Sequence, residues 1–183
     1  MSYLTVLTAG HHAKDSGATS LIWGNENINT QLVRNTIAYY LKQHGLNVFY
    51  DQDDWTLGQV ISRAKKAAKG VKNVIAIDIH FNAFSNPSAR GAEVIVDNNA
   101  NEECYAFASE LSSLTAETLE IPNRGVKTER QSHHSNLGYL DITDVSVVLE
   151  VGFLSNDEDM RAFFLKYWVL CRNVADLIKT YQT

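Results

Sequence analysis

Nowhere in the 183 residues does an apolar run approach the ~20 that a bilayer-spanning helix needs. The N-terminus has neither the basic region nor the apolar core of a secretory leader; Tyr3 to Thr8 is a short strand-like run instead. The expectation is a chain that stays where it is made unless something releases it. Lys and Arg form no block, and the net charge is -5. No electrostatic footprint for nucleic acid or an anionic membrane is visible, so neither partner is expected. Cysteine is scarce: Cys104 and Cys171 stand far apart, outside any CxxC pattern. That argues against a disulfide framework and a thiolate metal site, and both are expected as half-buried helix residues in a reducing compartment. Repeats, low-complexity tracts and Pro/Gly/Ser linkers are also missing, so one domain over 1–183 is expected, long enough to bury a core.

What is there alternates between strand and helix. Tyr3 to Thr8 reads as a strand, followed by a loop rich in Gly and His from Ala9 to Gly24. A helix is expected from about Ile28 to His44, with Ile28, Leu32, Ile37 and Leu41 on its inner face and Gly45 at its stop. Leu46 to Tyr50 reads as a strand and Leu57 to Lys69 as a helix ended by Gly70. Val74 to His80 is nearly all apolar, the pattern of a buried central strand. Ala92 to Val96 is another strand, and Glu102 to Leu119 a helix with Tyr105, Ala108 and Leu111 inside. Ile121 to Ser135 reads as a long polar loop of the kind that often carries function. Val145 to Val151 is a last buried strand. A C-terminal helix, opened by a capping box at Ser155 to Glu158 and broken near Phe164, completes the chain. The fold class is α/β: a mostly parallel twisted sheet with helices on both faces.

Unusual polar residues sit at strand ends. Gly10-His11-His12 follows the first strand, His80 closes an apolar strand, and Glu150 lies between Leu149 and Val151. Ligands of open α/β sheets bind beyond the carboxyl ends of the strands, where these residues can converge. His80 alone has an ordinary alternative as a buried, hydrogen-bonded histidine, and Glu150 as a member of a buried ion pair. A carboxylate amid Val147, Val148, Leu149 and Val151 is nonetheless costly unless paired or near a metal. Two histidines and a carboxylate are a common ligand set for catalytic zinc, and a second carboxylate outside the set can move protons. No HExxH helix motif is present to strengthen that reading from spacing.

Six segments, in order, resemble the zinc-dependent N-acetylmuramoyl-L-alanine amidases, the family of bacterial cell-separation amidases and many phage endolysins. Gly10 to Ala18 resembles the family's GHGGxDxGA opening, and Asn25-Glu26 stands where it has a metal glutamate. Ile79-His80-Phe81-Asn82-Ala83 is similar to SIHANA, and Gly91-Ala92-Glu93-Val94 to GxEV. Asn123 to Lys127 matches NRGVK, and Val148 to Asn156 resembles VLVEVGFLSN. The resemblance runs from about Val6 to Ile178. It implies zinc held by His11, Glu26 and His80, with Glu150 as the catalytic general base and acid. It also implies peptidoglycan as substrate, cleaved at the amide between N-acetylmuramic acid and the L-alanine of the stem peptide.

Several features depart from the family pattern. His12 replaces a glycine and competes with His11 as ligand, though the motif register favours His11; Phe81 replaces an alanine. Asn82, Arg124, Gln131, His133 and His134 are the candidate substrate-binding residues, the last three on a lengthened loop that is either a rim or a solvated connection. The long inhibitory helical insertion of some cell-separation amidases is missing. The expectation is a monomeric phage or prophage endolysin, held in the host cytoplasm before release to the wall. A host wall-remodelling amidase, another zinc amidohydrolase, or a non-catalytic wall-binding module on the same fold are the alternatives.

Overall fold

The computed structural model describes residues 3–132 and 137–182. Its strands are β1 (Tyr3–Ala9), β2 (Thr19–Ser20), β3 (Gly24–Asn25), β4 (Val48–Tyr50), β5 (Asn73–Asn82), β6 (Ala92–Val96), β7 (Asn123–Thr128) and β8 (Val145–Phe153). Its helices are α1 (Glu26–Gln43), α2 (Leu57–Ala68), α3 (Glu102–Leu119) and α4 (Asp157–Gln182). Six strands form one sheet in the order β4-β1-β5-β8-β6-β7, and β2 and β3 form a small separate ribbon. β4, β1, β5 and β8 run parallel; β6 is antiparallel to β8, with β7 parallel to β6. The α/β class and the mostly parallel sheet expected from the alternating pattern are what the chain forms.

Strand periodicity sorts the core into two layers. Leu7, Ile75, Ile77, Ile79, Val147, Leu149 and Val151 face α1, α3 and α4 in the larger core. On the other side Val6, Val74 and Ala76 pack on Ala64 of α2, on Tyr139 of a short 3-10 turn, Gly138–Asp141, and on Ile142 after it. The second face is covered by one amphipathic helix and a turn, which leaves its carboxyl end open. From β1 the chain crosses by α1 to β4 on one side, then returns by α2 to β5 on the other. The strand order therefore reverses between β1 and β5, and a crevice opens there.

Five local expectations need correction. The stretch read as a loop from Ile121 to Ser135 contains β7 and a 3-10 turn, Glu129–Gln131. Its polar Asn-Arg-Gly-Val-Lys-Thr pairs at the sheet edge, where burial does not demand apolar alternation, and Gly125 takes a φ of 76° beside the register shift against β6. α4 is unbroken through Phe164, because Phe163 is buried against Phe81 while Phe164 stacks on Trp23. Ile28 is 61% exposed; the buried stripe of α1 runs through Thr30, Val33, Arg34, Ile37 and Leu41. The N-cap of α4 is Asn156, whose Oδ1 accepts from Asp159 N at 2.9 Å. Both cysteines are fully buried rather than half-buried.

Arg34 ties this frame to the open crevice. It is 3% exposed, donates to Asp51 Oδ1 at 3.0 Å and to Asp53 Oδ1 at 2.6 Å. Asp51 accepts in turn from Ala9 N, and the Asp53 carbonyl from Ala13 N, so the clamp braces the loop that follows β1. Burial pushes Asp51 up to about 6 even with the guanidinium alongside. Arg34→Ala is expected to cost about 3–5 kcal/mol at pH 8, where Asp51 would remain charged without its cation. The cost should be smaller at pH 5, where Asp51 takes up a proton, and Arg34→Lys should recover little because an ammonium lacks the planar fork. Urea denaturation at both pH values measures this; an unchanged midpoint at pH 8 would show the clamp to be dispensable.

Candidate active site

The loop after β1 is built around two close approaches. Gly10 N donates to the Ile79 carbonyl at 2.7 Å, and a Cβ on Gly10 would lie within the His80 ring. Gly17 has a φ of 62°, and a Cβ there would collide with His11 and with the Glu26 carboxylate. Only glycine lets the backbone pass so near both side chains. His11 itself takes a φ of 66°, an unusual conformation for a residue with a side chain. It is sustained because Thr30 Oγ1 donates to the Gly10 carbonyl, Asn27 Nδ2 to that of His12, and Ala13 N to that of Asp53.

Glu26 is the first residue of α1, and its side chain is 4% exposed. Ala18 N donates to Oε2 at 2.9 Å and Phe81 N to Oε1 at 3.0 Å. The same oxygens face His11 Nε2 at 3.2 Å and His80 Nδ1 at 3.1 Å. The far nitrogen of each imidazole is also held: His11 Nδ1 lies 3.0 Å from Asp15 Oδ2, and His80 Nε2 lies 3.3 Å from Asp78 Oδ2. Thr8 Oγ1 donates to Asp78 Oδ1 at 2.6 Å.

One ligand atom from each of His11, Glu26 and His80 lies within 4.8 Å of the others, an arrangement that could hold a metal ion. The donor set suits a borderline cation such as zinc, and carboxylates behind the outer imidazole nitrogens are the usual support for metal-binding histidines. His12 is outside this group; its Nδ1 accepts from Lys14 N.

The electrostatics follow from the contacts. Glu26, with help from Asp15, raises the pKa of His11 against the effect of burial. Burial works against a charged His80, but Asp78, Glu26 and Glu150 outweigh it and hold the pKa well above its ordinary value. Burial likewise opposes ionised Glu26, yet the two histidines and Phe81 N keep its pKa far below the carboxylate range.

Glu150 is 3% exposed and lies directly across the strand pair from His80, with Glu93 of β6 opposite it on the other side. Burial, opposed by His80 and reinforced by Glu26, Glu93 and Asp78, pushes Glu150 up to about 7. These residues and the His-Glu-His group line one cleft of about 490 Å³, together with Asn82, Trp55 and Tyr139, while Glu93 sits just behind it. Asn82 Nδ2 donates to Glu93 Oε1 at 3.1 Å, and Arg124 Nε and Lys127 Nζ each donate to Glu93 Oε2 at 2.6 Å. Of the five residues expected to meet substrate, Asn82 is the one that lines the cleft among the described residues. Arg124 is engaged with Glu93 beside it. The Gln131 side chain accepts from Thr128 N and caps its own 3-10 turn. His133 and His134 lie outside the described residues.

Asp15, Asp78 and Trp55 were not singled out from the sequence. Asp78 had a signal: it interrupts an apolar strand two residues before His80, which places both on one face. Asp15 stands four residues after His11 in an irregular loop, where spacing carries no such meaning.

Known proteins share this fold. The catalytic domain of CwlV, an N-acetylmuramoyl-L-alanine amidase from Bacillus (Paenibacillus) polymyxa var. colistinus, superposes with a TM-score of 0.80 at 26% identity, over 100% of this chain and 98% of that one. An N-acetylmuramoyl-L-alanine amidase from Clostridium difficile 630 gives 0.83 at 20% identity, over 99% and 97%. The catalytic domain of the CD27L endolysin, which targets Clostridia difficile, gives 0.69 at 18% identity, over 98% of each chain. At those lower identities the likeness is one of fold. A search of curated protein sequences finds no match. Residues 5–179 match the family description itself, and the chain belongs to the N-acetylmuramoyl-L-alanine amidase family.

Proposed function

We propose that this protein hydrolyses the amide between N-acetylmuramic acid and the L-alanine of the stem peptide in peptidoglycan, as a zinc enzyme. The observation that carries the proposal is the His11, Glu26 and His80 group beside buried Glu150 in one cleft of an amidase-family chain. Zinc held by those three residues would supply Lewis acidity, polarising the scissile carbonyl and acidifying water at neutral pH. Glu150 takes the proton from the attacking water and returns it to the departing alanine nitrogen. Burial pushes Glu150 up to about 7 in the metal-free protein, and the charge of a zinc ion beside it would draw it back down, toward the range in which it can act as a base at neutral pH. Asp15 and Asp78 hold the histidine rings in orientation. Asn82 meets the substrate on the cleft wall, with Arg124, Gln131, His133 and His134 as an outer rim. A lytic role of the phage endolysin kind is the biological reading, with the catalytic domain of the CD27L endolysin, which shares the fold over 98% of each chain, as its precedent.

Glu150→Gln keeps the shape and removes the base, so kcat should fall by about 10²–10⁴-fold or more. Stoichiometric zinc should remain. Glu26→Gln should lose zinc and activity together. Elemental analysis and release of alanine-terminated peptides from purified walls test both. If Glu150→Gln loses the metal while Glu26→Gln keeps it, the two carboxylates have each other's roles.

Protons and metal compete for the same imidazoles. In the metal-free protein the raised pKa values of His11 and His80 contribute stability that is fully present below pH 6.5, the ordinary histidine value, and is lost as pH rises through the raised values. The depressed Glu26 contributes above pH 4.5, its ordinary value, and loses that only in stronger acid. The melting temperature of the chelated protein is therefore expected to fall as pH rises above 6.5, while the increase on adding zinc grows. Melts with and without zinc across pH 5.5 to 8.5, about one unit apart, give the comparison. A zinc-induced increase that shrinks as pH rises would contradict this ligand set.

A further inference from the structure

The cleft also has lining that the amide chemistry does not use. The segment leading into α2 supplies Trp55, and α2 itself supplies Leu57 and Val60. Three large aromatic rings line the cleft: Trp55, Phe81 and Tyr139. Phe81 and Tyr139 are 3% and 2% exposed, committed to the core. Trp55 is half-buried, so among the described residues it is the aromatic ring that offers surface to an occupant of the cleft.

That ring is held in place. Arg63 Cζ lies 4.3 Å from its centroid, the Phe49 ring packs 6.3 Å away, and Trp55 N donates to the Gln52 carbonyl at 3.0 Å. Arg63 also belongs to an open depression along α2, of about 670 Å³, shared with Thr56, Gln59, Ser62 and Lys66. A fixed indole thus continues into a row of hydroxyl, amide and cationic groups.

A pyranose needs that combination: an aromatic surface for its C–H face and hydrogen-bonding groups for its hydroxyl and N-acetyl rim. The peptide side of the scissile bond begins with an alanine, too small to use an indole. We infer that Trp55 is the platform on which a sugar ring of the glycan strand rests, with Gln59, Ser62, Arg63 and Lys66 lining the path of the strand along α2. The inference rests on the amidase reading and adds to it the side of the cleft that holds the glycan.

Trp55 supplies its own probe. The other tryptophans lie elsewhere, Trp23 stacked on Phe164 and Trp168 within α4. The whole protein is titrated with peptide-free glycan strands of alternating N-acetylglucosamine and N-acetylmuramic acid while tryptophan emission is followed. Wild type should show a saturable shift that Trp55→Ala lacks. On intact peptidoglycan, Trp55→Ala should raise KM by roughly three- to tenfold, the value of one stacked ring. Its kcat should stay within about twofold, the sign of lost uniform binding. Trp55→Phe should restore most of the KM and Trp55→Leu should not, which separates stacking from mere filling of space. Equal glycan binding by wild type and Trp55→Ala, with wild-type turnover intact, overturns the inference. So does a fall in kcat without a change in KM. Saturable, Trp55-dependent glycan binding by a wild type that cleaves no amide would instead sink the amidase reading and leave the platform standing.

Discussion

Everything at the cleft depends on one buried carboxylate standing between two imidazoles. Glu26 reaches His11 on the loop after β1 and His80 at the end of β5, and its oxygens are also fed by Ala18 N and Phe81 N. It opens α1, where the exposed amides of a helix N-terminus favour a negative charge. Three separate segments are therefore brought to one point by a side chain that could not remain ionised there without the groups they supply. The frame is arranged to make this meeting possible: adjacent parallel strands carry the histidines, and the helix that follows the first of them carries the glutamate.

Asp78, Glu93 and Glu150 are positioned by the sheet rather than by loops. His80, Glu150 and Glu93 occupy one row across β5, β8 and β6. Neighbouring strands lie about 4.7–4.9 Å apart, so that spacing acts as a ruler. Loop motion can open or close the mouth of the cleft without changing how far Glu150 stands from the histidine. Glu93 is kept ionised by Arg124 and Lys127, which outweigh its burial. Its charge in turn helps to keep a proton on Glu150. The reversal of strand direction at β6 brings this supporting cluster into the same row as the parallel strands.

Much of this was legible in the sequence where burial constrains the residue. The bounds of α3 and β6 coincide with the apolar pattern, because those elements are packed on the core. His11, His80 and Glu150 stood out because titratable groups next to apolar strands are costly without a purpose, whereas Glu26 was marked by the family resemblance at Asn25-Glu26. β7 was not legible, since an edge strand of polar residues carries no periodic signal, and pairing with β6 decides its conformation. The continuity of α4 through Phe163 and Phe164 was hidden for a related reason: the aromatic run reads as an interruption until its partners Phe81 and Trp23 are known. Trp55 was passed over because a lone tryptophan between polar residues says nothing about which wall it will face.

The two cysteines carry a consequence of a different kind. Cys104 donates its S–H to the Ser146 carbonyl and Cys171 to that of Val33, both in the packed interior. Burial pushes their thiols up to about 11 and about 12. The thiolate is the form that reacts with oxidants and electrophiles, and at neutral pH these side chains supply almost none of it. With no disulfide to form and no reactive sulfur to lose, the domain has in effect no redox state. These two side chains would be the same in a glutathione-rich compartment and in an oxidising cell wall, so a change of surroundings between the two would bring no thiol–disulfide change at either.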